Sequence, residues 1–316
     1  MSTDALNVLL FYIATIFCIL FIFFFLYVVI KKSPPTLRSY RNNLLNLTVW
    51  YLADLFSFGI LLQPVLAVHE KRLCARCYGL AVIFSDKLVH VAGFASIIFS
   101  CNVGAALLLS SFFRFIQLAH PGLSNWFTHS TYGTAACVLW HLAATVGSGI
   151  LAFVMFVFGD DLNLGDSFLL CFDVQTNHVV LGAISFAAAV LMLFGCFVCV
   201  FMFLSIRVLQ RQRYVMSNKT YRLQMLLTFN LVILTVLPVV FEVIPIIITF
   251  IAVNLNLLPY LYTIVSIATH VPFIEVMLTC CATLGFVTPY RRAIRGVICL
   301  KQTKAGISVS PSGIIL

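Results

Sequence analysis

The chain has 316 residues, of which 62% are hydrophobic and only 9% are charged, and it carries a formal net charge of +9. Its mean hydropathy of +1.08 excludes a soluble globular domain, because about a quarter of the residues in such domains are charged. Apolar runs of roughly 20 residues, enough to cross the ~30 Å hydrocarbon layer of a bilayer, recur along the sequence, so we predict a multi-pass membrane protein.

Hydropathy predicts seven spans, which must be helical because lipid offers no hydrogen-bond partners to an exposed backbone. The first span has neither the basic n-region nor the cleavage site of a signal peptide, so we expect it to be retained. The expected fold is an all-α membrane protein, with a seven-helix transmembrane domain over residues 1–286. The predicted spans lie near 6–30, 43–67, 88–113, 131–158, 179–206, 223–252 and 260–286.

The tail after the last span, residues 287–316, is expected to lie in the cytoplasm. Basic and apolar residues alternate over residues 289–304, a pattern that could form a short amphipathic helix on the inner leaflet. A solvated basic tail is the alternative. Cys299 in this segment is a candidate lipidation site.

Basic residues are concentrated on one side of the predicted bundle. The loops after spans 1, 3 and 5 and the tail hold 15 of the 19 Lys and Arg residues, and no acidic residue lies there. Because Lys and Arg are retained on the cytoplasmic side, we predict that the N-terminus is outside and the C-terminus cytoplasmic. The segment MSNKTYRLQ (216–224) then ends the third cytoplasmic loop, where its charges also favour contact with anionic membrane lipid.

Three acidic residues fall near the middle of predicted spans: Asp54 in span 2, Glu242 in span 6 and Glu275 in span 7. A charge at the bilayer centre costs roughly 2.5–3.5 kcal/mol, so such side chains face the bundle interior and are candidates for a polar switch. A protonated carboxyl group with a packing role stays open as the alternative. The candidate partners at similar depth are His141, Asn230 and His270.

Prolines interrupt the last two predicted spans. Pro238 and Pro245 lie on roughly the same face of span 6, and Pro272 lies in span 7. Each proline removes a backbone hydrogen bond and tends to kink the helix. We predict that span 6 is the moving element, with MSNKTYRLQ at its cytoplasmic end, although static kinks are also common in membrane helices.

Cys74 and Cys77 precede span 3 on the predicted outer side, and Cys171 lies in the second outer loop. A disulfide between Cys77 and Cys171 would tie span 3 to that loop in an oxidising environment, and Cys74 is the alternate partner. The CARC segment (74–77) is not expected to bind zinc, because no second ligand pair lies at a suitable spacing.

The sequence contains no phosphate-binding loop, nucleophile elbow or His-Glu metal motif. We therefore expect no enzyme activity, no cofactor and no metal. The positive charge is accounted for by membrane topology, so no nucleic-acid partner is expected.

Several segments resemble the nematode serpentine chemoreceptors of the Str superfamily, and class H is the most similar class. They are NKTYRLQ (218–224) entering span 6, VIPIIITFI (243–251), and TPYRRAI (288–294) after span 7. YRNNLLNLTVWYLADL (40–55) resembles the second helix of that family, and its LADL resembles the polar core of many seven-helix receptors, which favours a functional Asp54. His270 lies where class H members often carry a His, which makes it a further switch candidate.

The resemblance implies a chemosensory G-protein-coupled receptor in the plasma membrane, at the cilium of a sensory neuron. It implies a small-molecule cue, either an odorant or a water-soluble compound, and a heterotrimeric G protein as partners.

The family usually has an acidic residue shortly before the Arg that ends span 3. Here the sequence is SSFFRFIQL (110–118), which lacks this acidic residue. We therefore expect higher basal signalling activity, or a different interaction that restrains Arg114 in the resting state. The implied coupling residues are Arg114, Lys219, Tyr221, Arg222, Tyr290 and Arg291.

A seven-helix channel or a transporter is the alternative function, and a receptor-like chain that serves only as a trafficking partner is a third possibility. Known seven-helix insect channels have the N-terminus inside, contrary to the charge distribution here. The sequence also lacks the internal repeats that are common in transporters.

Overall fold

A computed structural model describes residues 3–69, 72–124, 131–157, 160–163, 168–172, 177–245, 247–248, 251 and 258–303. Most of this part of the chain is helical. The helices are α1 (Thr3–Lys32), α2 (Arg38–Phe56), α3 (Leu80–Phe84), α4 (Asp86–Ala119), α5 (Thr131–Val157), α6 (His178–Arg211), α7 (Asn218–Pro238), α8 (Leu258–Phe286) and α9 (Thr288–Thr303).

Six helices in the described part of the chain are long and apolar enough to cross a bilayer. The number is seven if His270–Phe286 is counted as one span with Thr288–Gly296, which follows at an angle of 91°. This finding confirms the predicted helical membrane bundle. It differs from the prediction at the end of span 2, because residues 64–67 begin a β-strand.

A four-stranded antiparallel sheet covers one end of the bundle. Its strands are β1 (Pro64–His69), β2 (Arg72–Cys77), β3 (Asp160–Asn163) and β4 (Phe168–Phe172), in the order β1-β2-β4-β3. The sheet joins the hairpin that follows α2 to the hairpin between α5 and α6. Phe168 and Leu170 of β4 pack against Leu62 and Val89, and β1 lies against α8. We call this end of the bundle the sheet end and the opposite end the basic end.

The structure corrects the predicted disulfide. Cys171 is bonded to Cys74, the alternate partner, and Cys77 is a buried free thiol. The strand register explains this pairing, because β2 and β4 place Cys74 opposite Cys171 and Cys77 opposite Phe168. The bridge therefore fixes the central strand pair of the sheet, and it does not reach from the beginning of α4.

Hydrogen-bonding side chains begin three of the long helices, as expected from N-cap chemistry. Ser85 accepts a hydrogen bond from the Leu88 N–H at the start of α4, and Asn177 accepts from Val179 and Val180 at the start of α6. Within MSNKTYRLQ, the Ser217 hydroxyl accepts from the Thr220 N–H. This segment therefore forms the first two turns of α7 together with the N-cap and the residue before it.

Two helices in the described part of the chain pass into π-helical segments near the sheet end. α2 continues as Ser57–Leu62 and stops at Gln63, which has a left-handed backbone with φ 45°. α7 continues as Val239–Val243 directly after Pro238. Proline has no N–H to donate to the preceding turn, and π segments often mark bends or functional sites. The predicted kink position at Pro238 thus coincides with a change of helical geometry.

One hydrophobic core joins α1, α2, α4, α6, α7 and α8. Its largest fully buried members include Phe11 and Phe25 of α1, Leu47 of α2 and Leu234 of α7. The core extends to Tyr290 at the start of α9. Polar side chains inserted into this core are held at fixed positions between the helices.

Close packing of α1 against α2 predicts a severe effect of Gly59→Val. The Thr15 hydroxyl donates to the Gly59 carbonyl at 3.3 Å, and a Cβ atom on Gly59 would lie 2.8 Å from Thr15 Cγ2 and 3.2 Å from Phe273 Cε1. We expect Gly59→Val to cost about 1–3 kcal/mol through overpacking. The same substitution at Gly195, where a Cβ atom would meet nothing within 4 Å, is the control. Thermal unfolding in detergent should show a larger loss for Gly59, and equal losses would contradict the prediction.

Candidate functional site

Arg114 is a buried cation near the basic end of α4, with 5% of its surface exposed. Its Nε donates to Thr228 Oγ1 at 3.0 Å and its Nη2 donates to the Gln224 carbonyl at 2.6 Å. Both acceptors belong to α7. The third contact is within α4, where Nη1 donates to Gln117 Oε1 at 3.0 Å. The guanidinium therefore clamps α4 to α7.

In the part of the chain that the structure describes, the three acceptors of this clamp are neutral. A hydrogen bond from a charged donor contributes about 1.5–3 kcal/mol, so the contact is substantial without an acidic partner. A cavity of about 20 Å³ lies beside the guanidinium, lined by Tyr40, Asn43 and Ser110 among others. Leucine side chains also line the cavity, and its size is sufficient for one water molecule.

A second polar contact links three helices one turn further into the bundle. Asn230 of α7 is fully buried, and its Nδ2 donates to the Tyr40 hydroxyl at 2.7 Å and to Thr283 Oγ1 at 3.3 Å. Tyr40 belongs to α2 and Thr283 to α8. The inner face of α7 is therefore bonded to α2, α4 and α8 within about two turns.

The acidic residues of α2 and α8 bond to other helices in the middle of the bundle. Asp54 Oδ1 accepts from Ser96 at 3.3 Å and from Ser100 at 3.0 Å, both on α4. Glu275 of α8 is fully buried and accepts from the Tyr51 hydroxyl at 2.6 Å. Tyr51 and Asp54, one turn apart on α2, thus bond to two different helices, α8 and α4.

His141 is the centre of a third network, which joins α2, α4 and α5. Asn46 Nδ2 donates to His141 Nε2 at 3.0 Å, and His141 Nδ1 lies 2.8 Å from Asn102 Oδ1. Since an amide nitrogen only donates and an amide oxygen only accepts, this arrangement fits a neutral His141 that carries its proton on Nδ1. The Trp50 ring stacks on the imidazole with a centroid distance of 5.0 Å.

Comparison with known families decides what this bundle is. The chain matches the family described as "Serpentine type 7TM GPCR chemoreceptor Srd" over residues 8–296. The chain belongs to the Srd chemoreceptor family. The match confirms the expected serpentine chemoreceptor type, whereas the expected class H placement in the Str superfamily is not confirmed.

A solved structure supports the fold of this Srd chain. The crystal structure of squid rhodopsin superimposes with a TM-score of 0.66 at 11% sequence identity, and the alignment covers 98% of this chain and 89% of that one. At this identity the likeness concerns the fold. No curated protein matches the chain.

The residues expected to couple to a G protein lie at the basic end of the Srd chain, in different surroundings. Lys219, Arg222 and Arg291 are exposed. Tyr221 is half-buried, and the Arg213 guanidinium lies 5.8 Å from its ring centroid. Tyr290 is fully buried, and its hydroxyl lies 2.6 Å from Ser33 Oγ.

Of the remaining residues predicted to be functional, some have side chains that the structure describes and others do not. His270 is half-buried, with its ring centroid 5.1 Å from that of Phe11. Pro245 lies just beyond the π segment of α7, and Pro272 lies inside α8. The side chains of Glu242 and Cys299 lie outside the described part of the structure.

Sequence reasoning missed the roles of Asn46 and Asn102. Both residues lie inside predicted spans, which is itself a signal, because polar side chains in a membrane helix usually bond to another helix. The His141 partner could not be inferred from the sequence, since the pattern does not tell which helices touch. The Thr228 and Gln224 contacts of Arg114 were missed for the same reason.

Proposed function

We propose that this Srd chain is a chemosensory G-protein-coupled receptor in the plasma membrane, at the cilium of a sensory neuron. Its N-terminus and the sheet end would face outward and its basic end the cytoplasm. Two independent features support this orientation. Fifteen of the 19 basic residues cluster on the proposed inner side, and the Cys74–Cys171 disulfide lies at the other end, where an oxidising compartment would keep it intact.

The Arg114 clamp is the observation that carries the proposed mechanism. It holds α7 against α4 at the end of the bundle where the exposed basic side chains of α7 begin. Outward movement of α7 about the π segment after Pro238 would break the contacts with Gln224 and Thr228. The freed Arg114, together with Lys219, Tyr221 and Arg222, would then form the surface that binds the G protein.

The neutral character of the clamp bears on the ligand. A ligand must contribute about 5.5 kcal/mol of differential affinity to move a two-state equilibrium from 1:99 to 99:1. A small odorant or water-soluble cue makes few contacts, so a receptor that responds to it must be poised close to activation. In the described part of the chain the clamp has no acidic partner, so it restrains α7 less than the same contacts with an added ion pair would, which fits that requirement. The cue would bind from the sheet end, among α4, α6, α7 and α8.

A panel of volatile and water-soluble compounds on cells with verified surface expression tests the proposal. Membrane current and second messenger are recorded with and without a G-protein blocker inside the cell. We expect a slow response that the blocker abolishes. A fast current that survives the blocker would assign the protein to the channel class.

Arg222→Ala should reduce signalling without reducing surface expression. Arg222 is exposed on the first turns of α7, so its loss removes a cation from the proposed G-protein surface and breaks no buried contact. Arg211→Ala is the matched control, because Arg211 is exposed in the last turn of α6. Equal signalling by Arg222→Ala and the native chain at equal expression would exclude a role of Arg222 in coupling.

A further inference from the structure

A large apolar groove lies between α4, α5 and α6, in the half of the bundle nearer the basic end. It has a volume of about 400 Å³, within the range of small-molecule sites. Its walls are mainly aromatic, and it opens sideways, because 37% of Trp140 and 47% of Phe197 are exposed. The lining includes Phe112, Phe113, Cys137, Trp140, Phe197 and Phe201.

The described lining of the groove offers an occupant no charge and no free hydrogen-bond donor stronger than the Cys137 thiol. Its strongest polar donor, the Trp140 Nε1–H, is already bonded to the Ala105 carbonyl of α4 at 3.0 Å. The other lining side chains are hydrocarbon or thiol groups. Because the groove opens on helices that cross the membrane, the medium at its mouth is the hydrocarbon of the bilayer. An occupant must therefore be apolar at this depth.

A cation lies on the lipid-facing side of α6, nearer the basic end than the groove. Arg207 is exposed on α6, and its guanidinium lies 5.0 Å from the centroid of the lipid-facing Phe203 ring. Arg207 follows Phe201 by about 9 Å along the helix axis toward the basic end, at 1.5 Å per residue. A phosphate bound to Arg207 would place the middle of an attached acyl chain at the level of the groove.

We propose that the groove binds one acyl chain of a phospholipid from the adjacent leaflet, whose phosphate contacts Arg207. The acyl chain fills the space between α4 and α6 beside Phe112 and Phe113, the residues directly before Arg114. The proposed lipid site thus lies on the membrane-facing surface of the helix bundle. The proposal does not depend on the proposed signalling function.

Photolabelling in nanodiscs tests the proposal directly. The purified full chain is reconstituted with phosphatidylcholine that carries a diazirine in the middle of one acyl chain, irradiated, digested and mapped by mass spectrometry. We expect adducts to concentrate on residues 136–140 and 197–201. The lipid-facing residues Phe17 and Leu20 of α1, which are also exposed, report labelling by bulk lipid.

Two bulky substitutions on α5 form a matched pair. Ala136 lines the groove, whereas Leu139 is 63% exposed and does not line it. Ala136→Trp should reduce groove labelling about tenfold, corresponding to about 1.4 kcal/mol, while Leu139→Trp should leave it unchanged. Cys137→Phe fills the same space and replaces Ala136→Trp if that variant does not fold. Arg207→Gln should weaken labelling and leave the α1 signal constant.

Equal labelling of the groove and of α1, or groove labelling that persists when the groove is filled, would overturn the proposal. Labelling that is lost in Ala136→Trp but unaffected by Arg207→Gln would refute the phosphate contact. Cross-linking of two copies through α5 and α6 without lipid adducts would assign the groove to a second copy of the chain.

Discussion

Cys74→Ser and Cys171→Ser should each destabilise the protein by about 2–5 kcal/mol, the usual cost of losing a native disulfide. The bridge closes a loop of 97 residues, and long loops have the most conformational freedom to lose in the cross-linked unfolded state. It also fixes the β2–β4 pair, which joins the two hairpins of the sheet. We expect both variants to unfold at lower temperature in detergent and to reach the cell surface in smaller amounts.

Cys77→Ser is the control for these variants, because Cys77 lies three residues from Cys74 and forms no disulfide. Burial raises the pKa of the Cys77 thiol to about 12, so the thiol stays protonated and unreactive toward maleimide near neutral pH. Cys77→Ser leaves the bridge intact and replaces one buried sulfur atom by a hydroxyl, so it should lose less stability than Cys74→Ser or Cys171→Ser. A loss in Cys77→Ser that equals the loss in Cys171→Ser would support the pairing first predicted.

Arg114→Met should separate signalling from stability. Methionine fills a similar apolar volume and removes the cost of keeping a charge out of water, which offsets the lost hydrogen bonds, so we expect only a small change in stability. Signalling should nevertheless be lost, because the proposed G-protein surface lacks its central cation. Second-messenger output at equal surface expression, measured beside thermal unfolding in detergent, checks both halves of this prediction.

Thr228→Val should produce the opposite pattern. The variant keeps the shape of the side chain but removes the acceptor of the Arg114 Nε–H, so a buried charged donor loses a hydrogen bond. We expect a loss of stability of about 1–3 kcal/mol and raised basal signalling, because α7 is held less firmly against α4. Unchanged basal output in a stable Thr228→Val variant would show that the clamp does not restrain activation.

The sequence was sufficient to predict the helical bundle, because apolar runs as long as a bilayer is thick are typical of membrane-spanning helices. It was insufficient for the sheet. Residues 64–67 are as apolar as the span before them, so hydropathy alone extends the helix over them. Only their pairing with β2 shows that they form a strand. The choice of Cys74 over Cys77 depends on the register between β2 and β4, which connects parts of the chain about 97 residues apart.

The candidate site could likewise be predicted from the sequence only in part. Arg114, Asp54 and Glu275 could be selected from the sequence, because ionisable residues in membrane helices are rare and usually face other helices. Their partners could not be selected. Thr228, Ser100 and Tyr51 are ordinary residues in their own helices, and only the packing of those helices makes them hydrogen-bond partners.

The strand pair β2–β4 also limits when its disulfide can form during synthesis of the protein. Cys74 emerges from the ribosome 97 residues before Cys171, which at 5–20 residues per second is about 5–20 s of synthesis. During that interval Cys74 has no native partner, and Cys77 is the nearest competing thiol. Correct assembly thus requires that Cys74 stay reduced, or be held as a mixed disulfide by an oxidoreductase, until α4 and α5 have been inserted. The yield of folded protein should accordingly depend on the disulfide-exchange capacity of the secretory pathway of the host cell.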